Sequence, residues 1–114
     1  MWGRGVCAQL RLALDTGSAS ILVRPEVIER LGYTIRDAAR YTTVESTNEL
    51  ERGYLIRVAR VSALGHVMRA PMVHVFDLPP SWDDLDGLLG LSFLDHLNYE
   101  IRSKEGRILV ERAA

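Results

Sequence analysis

The sequence predicts a mostly β fold carrying two short helices, and three observations predict it. Apolar and polar residues alternate ahead of Asp15, β-rich runs recur between turn residues, and only two short stretches space their apolar residues as a helix does. In the run Val6 to Leu14, polar Gln9 and Arg11 alternate with Leu10, Leu12 and Leu14, which is the pattern of a half-buried strand. It leads directly into Asp15-Thr16-Gly17-Ser18, whose short polar side chains and glycine suit a tight turn. Ile21-Leu22-Val23 then reads as a short buried strand.

Pro25 to Leu31 reads as the first helix. Pro25 fits its first turn, Glu26 complements its positive end, Val27, Ile28 and Leu31 share a face, and Gly32 stops it. Tyr41 to Val44 and Gly53 to Val61 are strand-like around a polar stretch, Glu45 to Arg52, and so predict a hairpin. Leu64-Gly65-His66 supplies a turn, and Val67 to Phe76 another β-rich run in which Pro71 favours an edge or a bulge. After the loop Asp77 to Asp86, Gly87-Leu88-Leu89-Gly90 is too apolar for a surface linker. Ser92 is placed to cap a second helix holding Phe93 and Leu97, and Tyr99 to Ser103 with Arg107 to Val110 predict a terminal hairpin turned at Lys104-Glu105-Gly106.

A chain of 114 residues has the size of one domain, taken as 1–114, and shows no internal duplication. Fourteen basic and 15 acidic residues give a net charge of -1, which argues against a nucleic-acid partner. Hydrophobic residues at 47% and charged residues at 25% suit a folded globular core. The single cysteine, Cys7, excludes an intrachain disulfide and a cysteine-based zinc cluster. No apolar run has the length of a membrane segment and Met1 to Gln9 lacks the pattern of a secretory signal, so a cytoplasmic location is the default expectation.

A strand ending in Asp15-Thr16-Gly17-Ser18, followed later by Gly87-Leu88-Leu89-Gly90 and a short helix, resembles the retropepsin-like aspartic peptidases, the single-domain relatives of pepsin. The helix Pro25 to Leu31 with Gly32 is similar to the one that bacterial and retroelement members carry after the catalytic loop. Asp-Thr-Gly alone also occurs as an ordinary Asx turn between strands, and it is the ordered combination that gives the resemblance its weight.

The resemblance implies a closed, mostly antiparallel β-barrel of the pepsin half-domain type and an endopeptidase active as a homodimer. It implies no cofactor and no metal. Asp15 of each copy would meet across a two-fold axis, share one proton and activate a water, because adjacent carboxylates do not both ionise readily. Thr16 would brace the two loops, Gly17 would bring backbone N–H groups to the carboxylate, and Ser18 would donate its hydroxyl to Asp15 and favour an acidic pH optimum. The hairpin Tyr41 to Ile56 takes the place of the family's flap, with Ser46 to Arg52 where a glycine-rich tip is usual. A peptide or protein substrate would bind as a strand against Ser18, Val44, Leu50, Ile56 and Leu88. A dimeric peptide-binding or dimerisation module of the same fold without cleavage is the alternative.

Other candidates carry less chemistry. His66, His74 and His96 match no zinc spacing, and Asp83, Asp84 and Asp86 lack the glycine and ligand spacing of a calcium loop. Trp82 beside Pro79 and Pro80 reads as packing under a loop. Ser18 and Ser20 lack the Gly-x-Ser-x-Gly context and the histidine partner of a serine nucleophile.

Overall fold

The computed structural model describes the backbone of residues 1–46 and 49–112, and the side chains of 1–42 and 53–111. The short apolar runs form a six-stranded sheet. Its members are β1 (Leu12–Leu14), β2 (Ile21–Val23), β3 (Arg40–Ser46), β4 (Glu49–Arg57), β7 (Met72–Val75) and β8 (Gly87–Leu89), in the order β1-β8-β2-β7-β4-β3. Two separate hairpins accompany it: β5 (Arg60–Ala63) with β6 (His66–Arg69), and β9 (Leu97–Arg102) with β10 (Arg107–Arg112).

The expected closed antiparallel barrel is corrected here. Among the described residues no sheet closes on itself: β1 and β3 are the two edges. The β1–β8 and β2–β7 pairs are parallel. The reason is topological. β8 inserts between β1 and β2, and the remaining strand pairs form small hairpins instead of linking the two edges.

Helix α1 (Pro25–Arg30) begins and ends as its residues dictate. Proline occupies the first turn, Glu26 and Arg30 complement the two ends, and Gly32 follows at φ 86°, a left-handed conformation that suits glycine. Helix α2 (Leu91–Leu94) is shorter than expected, and Leu97 opens β9 instead of extending it. Gly90, not Ser92, is its N-cap residue. The Ser92 hydroxyl accepts the Ile21 N–H at 3.2 Å, so it ties α2 to β2. Neither helix is long enough to cross a membrane.

The strand expected over Val6 to Leu14 is ordered as a strand only at Leu12–Leu14. Upstream, Met1 and Ala8 exchange hydrogen bonds, while Trp2 pairs with Arg60 through the Trp2 N–H and the Ala59 N–H. These long-range partners fold the N-terminal residues back, leaving no continuous strand. Arg60 lies over the Trp2 ring at 4.3 Å and adds a cation–π contact.

Directly paired residues in a sheet share a face, and the register therefore sorts the sheet into two sides. Ile21, Val23, Val73, Val75, Ile56 and Leu89 point to one side, where Val27 and Ile28 of α1 and Phe93 and Leu94 of α2 join them in the core. On the other side a single row runs across all six strands. Ala13 is paired with Leu88, Leu88 with Leu22, Leu22 with His74, His74 with Leu55 and Leu55 with Arg40.

Candidate active site

Asp15 follows β1 directly and has the strand parity of Ala13. Its N–H donates to the Leu89 carbonyl at 3.0 Å, which continues the β1–β8 pairing by one residue. The chain then turns sharply, with the Ser18 N–H donating to the Asp15 carbonyl at 3.2 Å. The Gly17 N–H donates to Asp15 Oδ1 at 2.9 Å and fixes one carboxylate oxygen. Asp15 is half-buried, whereas Thr16 and Gly17 are exposed at the tip.

The Gly87 to Gly90 segment supports this loop from beneath. A Cβ on Gly90 would stand 2.3 Å from the Ser20 carbonyl oxygen and 2.5 Å from that of Ser18, so only glycine permits the approach. A Cβ on Gly87 would meet the Leu22 carbonyl oxygen at 1.9 Å. The following N–H groups use the closeness: Leu91 donates to Ser18 and Ser92 to Ala19, at 2.8 and 2.9 Å. The position of Asp15 thus depends on backbone contacts with residues more than seventy positions away.

The sequence-based site residues divide into three groups. Asp15, Thr16, Gly17 and Ser18 form one loop, and Leu88 lies half-buried on the row that contains Ala13. Two expectations need correction. The Ser18 hydroxyl donates to the Ser20 carbonyl at 3.1 Å and not to Asp15, which removes the reason given for an acidic optimum. Ile56 is 1% exposed and packs in the core on the opposite face from Leu88, because it pairs with Val73. The side chains of Val44 and Leu50 lie outside the described residues, as do Thr47 and Asn48 at the hairpin tip.

Sequence reasoning passed over His74. Its Nε2 lies 2.6 Å from Thr42 Oγ1, and its ring meets Phe76 edge-on at 5.0 Å. Thr42 is on β3, two strands away, and the contact crosses β4 at Gly53. A Cβ on Gly53 would stand 3.1 Å from His74 Nε2. Burial lowers the His74 pKa below its ordinary value. The signal was present in Met72-Val73-His74-Val75-Phe76, where the two valines face the core and the other three residues face away. His66 stacks on His96 at 6.1 Å and meets Phe93 at 5.6 Å, a packing arrangement beside α2.

The fold is that of a retropepsin-like aspartic peptidase. It matches the crystal structure of a retropepsin-like aspartic protease from Rickettsia conorii at a TM-score of 0.64, with 21% identity, covering 86% of this chain and 76% of that one. A family model described as aspartyl protease matches residues 4–93, and the chain belongs to that family. No curated protein matches the sequence.

Proposed function

We propose that the protein is an aspartic endopeptidase whose active form is a homodimer, with Asp15 of each copy sharing one proton and activating a water between them. The observation that carries this reading is the Asp15 loop. Its carboxylate is oriented by the Gly17 N–H, its backbone is braced by Leu89 and Gly90, and its tip is open to solvent in the single chain. Each chain supplies one Asp-Thr-Gly, so the second carboxylate comes from a partner.

In this mechanism one Asp15 takes a proton from the water while the other, protonated, donates to the carbonyl oxygen of the scissile peptide. The water oxygen bonds to the carbonyl carbon to give a tetrahedral diol. Its collapse breaks the C–N bond as the amine is protonated from the pair. Thr16, exposed beside the carboxylate, is the bracing residue between the two loops. The β3–β4 hairpin is the flap, which excludes water and offers backbone groups to an extended substrate. The half-buried face carrying Ala13 and Leu88 is the cleft wall, since it lies on the Asp15 side of β1 and opposite the face that α1 and α2 cover.

The test is cleavage of a denatured protein across acid to neutral pH by wild type and by Asp15→Asn. Wild type should cleave, and the variant should lose activity by at least ~1000-fold while keeping its oligomeric state. A variant that retained activity would remove Asp15 from the chemistry. Binding of peptide without any cleavage by wild type would favour a non-catalytic module.

A further inference from the structure

The cleft wall changes chemical character along its row. Near Asp15 it is apolar, with Ala13 and Leu88 half-buried and Leu22 buried beside them. Three strand spacings from Ala13, or roughly 14 Å at the usual spacing, it becomes basic, with His74 followed by Arg40 at the far end. Arg57 pairs with Met72 and so shares this face, with its guanidinium donating to the Ala70 carbonyl at 2.5 Å. Among the described side chains these are the charged groups facing His74, and Glu49 and Glu51 of β4 have the same strand parity as Leu55 and Arg57. The adjoining positions on β2 and β7 are Leu22, Met72 and Phe76, which do not titrate, and Arg24 just beyond β2 is turned to the carbonyls of Trp82 and Leu85. Asp15 is the acid at the opposite end.

Thr42 holds the His74 ring by Nε2 across the gap at Gly53, and Nδ1 has no partner among the described residues. We infer that His74 makes this end of the cleft selective for a peptide carrying an aspartate or glutamate side chain, while the end beside Asp15 takes apolar side chains. The inference rests on the reading of this face as a substrate cleft. With Nε2 occupied by Thr42, Nδ1 of the protonated ring can donate to a substrate carboxylate, and the flanking arginines favour the same charge. Gly53 is buried beneath the Thr42–His74 contact, and His74 itself is only half-buried, which leaves part of its ring for a bound peptide to approach.

The experiment is a position-by-position preference measured with a randomised peptide library, for wild type, His74→Leu and His74→Gln, with direct binding of the preferred and leucine-substituted peptides to Asp15→Asn as a second readout. At one substrate position wild type should prefer Glu or Asp over Leu by ~10-fold at acid pH, and the preference should be lost by about pH 6.5 as the ring loses its proton. His74→Leu should remove the preference, and His74→Gln, which keeps a hydrogen-bonding group, should retain part of it. Should either variant fail to fold, the pH dependence of the preference in wild type decides alone. Cleavage with the same preferences at all positions and pH values would overturn the inference and leave the peptidase reading intact. A library neither cleaved nor bound would overturn the peptidase reading, and the inference with it.

Discussion

Gly90 shows how a single missing side chain sets the site. Two carbonyl oxygens of the Asp15 loop lie where its Cβ would be, so Gly90→Ala must push that loop away from α2 and break the Leu91 and Ser92 hydrogen bonds. The expected loss is roughly 3 kcal/mol in a denaturant titration, with activity falling further than stability because Asp15 itself is displaced. Gly106→Ala is the control. It has φ 65° but open space around it, so the left-handed conformation alone should cost about 1 kcal/mol and leave the site undisturbed. His74 gives a prediction in pH. Burial disfavours its charged form, so its pKa in the folded chain lies below that of the unfolded chain. The unfolded state then binds more protons in the window between the two, and the stability owed to a neutral His74 is complete above about pH 6.5 and is lost as pH falls through the folded value. Wild type should therefore lose more thermal stability than His74→Gln between pH 7 and pH 5, and equal losses would argue against a buried neutral ring.

At the scale of elements, the β5–β6 hairpin carries visible strain. Ala63 pairs with His66, leaving Leu64 and Gly65 as a two-residue turn with φ of 52° and 76°. Such turns need positive φ at both central residues, which glycine accepts and leucine resists. Leu64 is also 38% exposed, so little burial offsets the strain. Leu64→Asn should stabilise the protein by about 1 kcal/mol in thermal or urea unfolding, and destabilisation of that size would mean that the leucine is held by packing. This turn was legible in the sequence as a glycine-containing break between β-rich runs, and so were α1, both strands of the C-terminal hairpin and the tight turn after Asp15, because each depends on neighbours in sequence. What stayed hidden depends on distant partners. The strand expected from Val6 is shortened because Met1 to Ala8 bonds to itself and to Arg60. Ile56 looked like a pocket wall, yet the register that places it against Val73 in the core comes from pairing with β7. Ser92 and Ser18 have the residue type for caps and carboxylate donors, but their hydroxyls are used across the loop contacts instead.

For the whole molecule, the open sheet leaves the Asp15 loop at one edge, beside β1, with a single carboxylate per chain. These 114 residues carry one Asp-Thr-Gly, and the proposed chemistry is therefore a property of the pair. That consequence can be measured by mixing. If wild type and Asp15→Asn chains exchange freely, equal amounts should assort at random, and half of the wild-type chains will sit opposite an asparagine. A mixed pair has only one acid, with no second carboxylate to share its proton, so activity per wild-type chain should fall to roughly one half. A fourfold excess of the variant should reduce it to roughly one fifth. A site complete within one chain would show no such dilution. Thr16→Ala sharpens the test, because its expected role is to hold the two loops together. It should raise the concentration at which specific activity reaches half its maximum by ~5- to 10-fold, while leaving the activity of the fully assembled dimer close to that of wild type. Sedimentation over the same concentrations must move in step with the activity; a dimer that persists while activity is lost would give Thr16 a part in the chemistry itself.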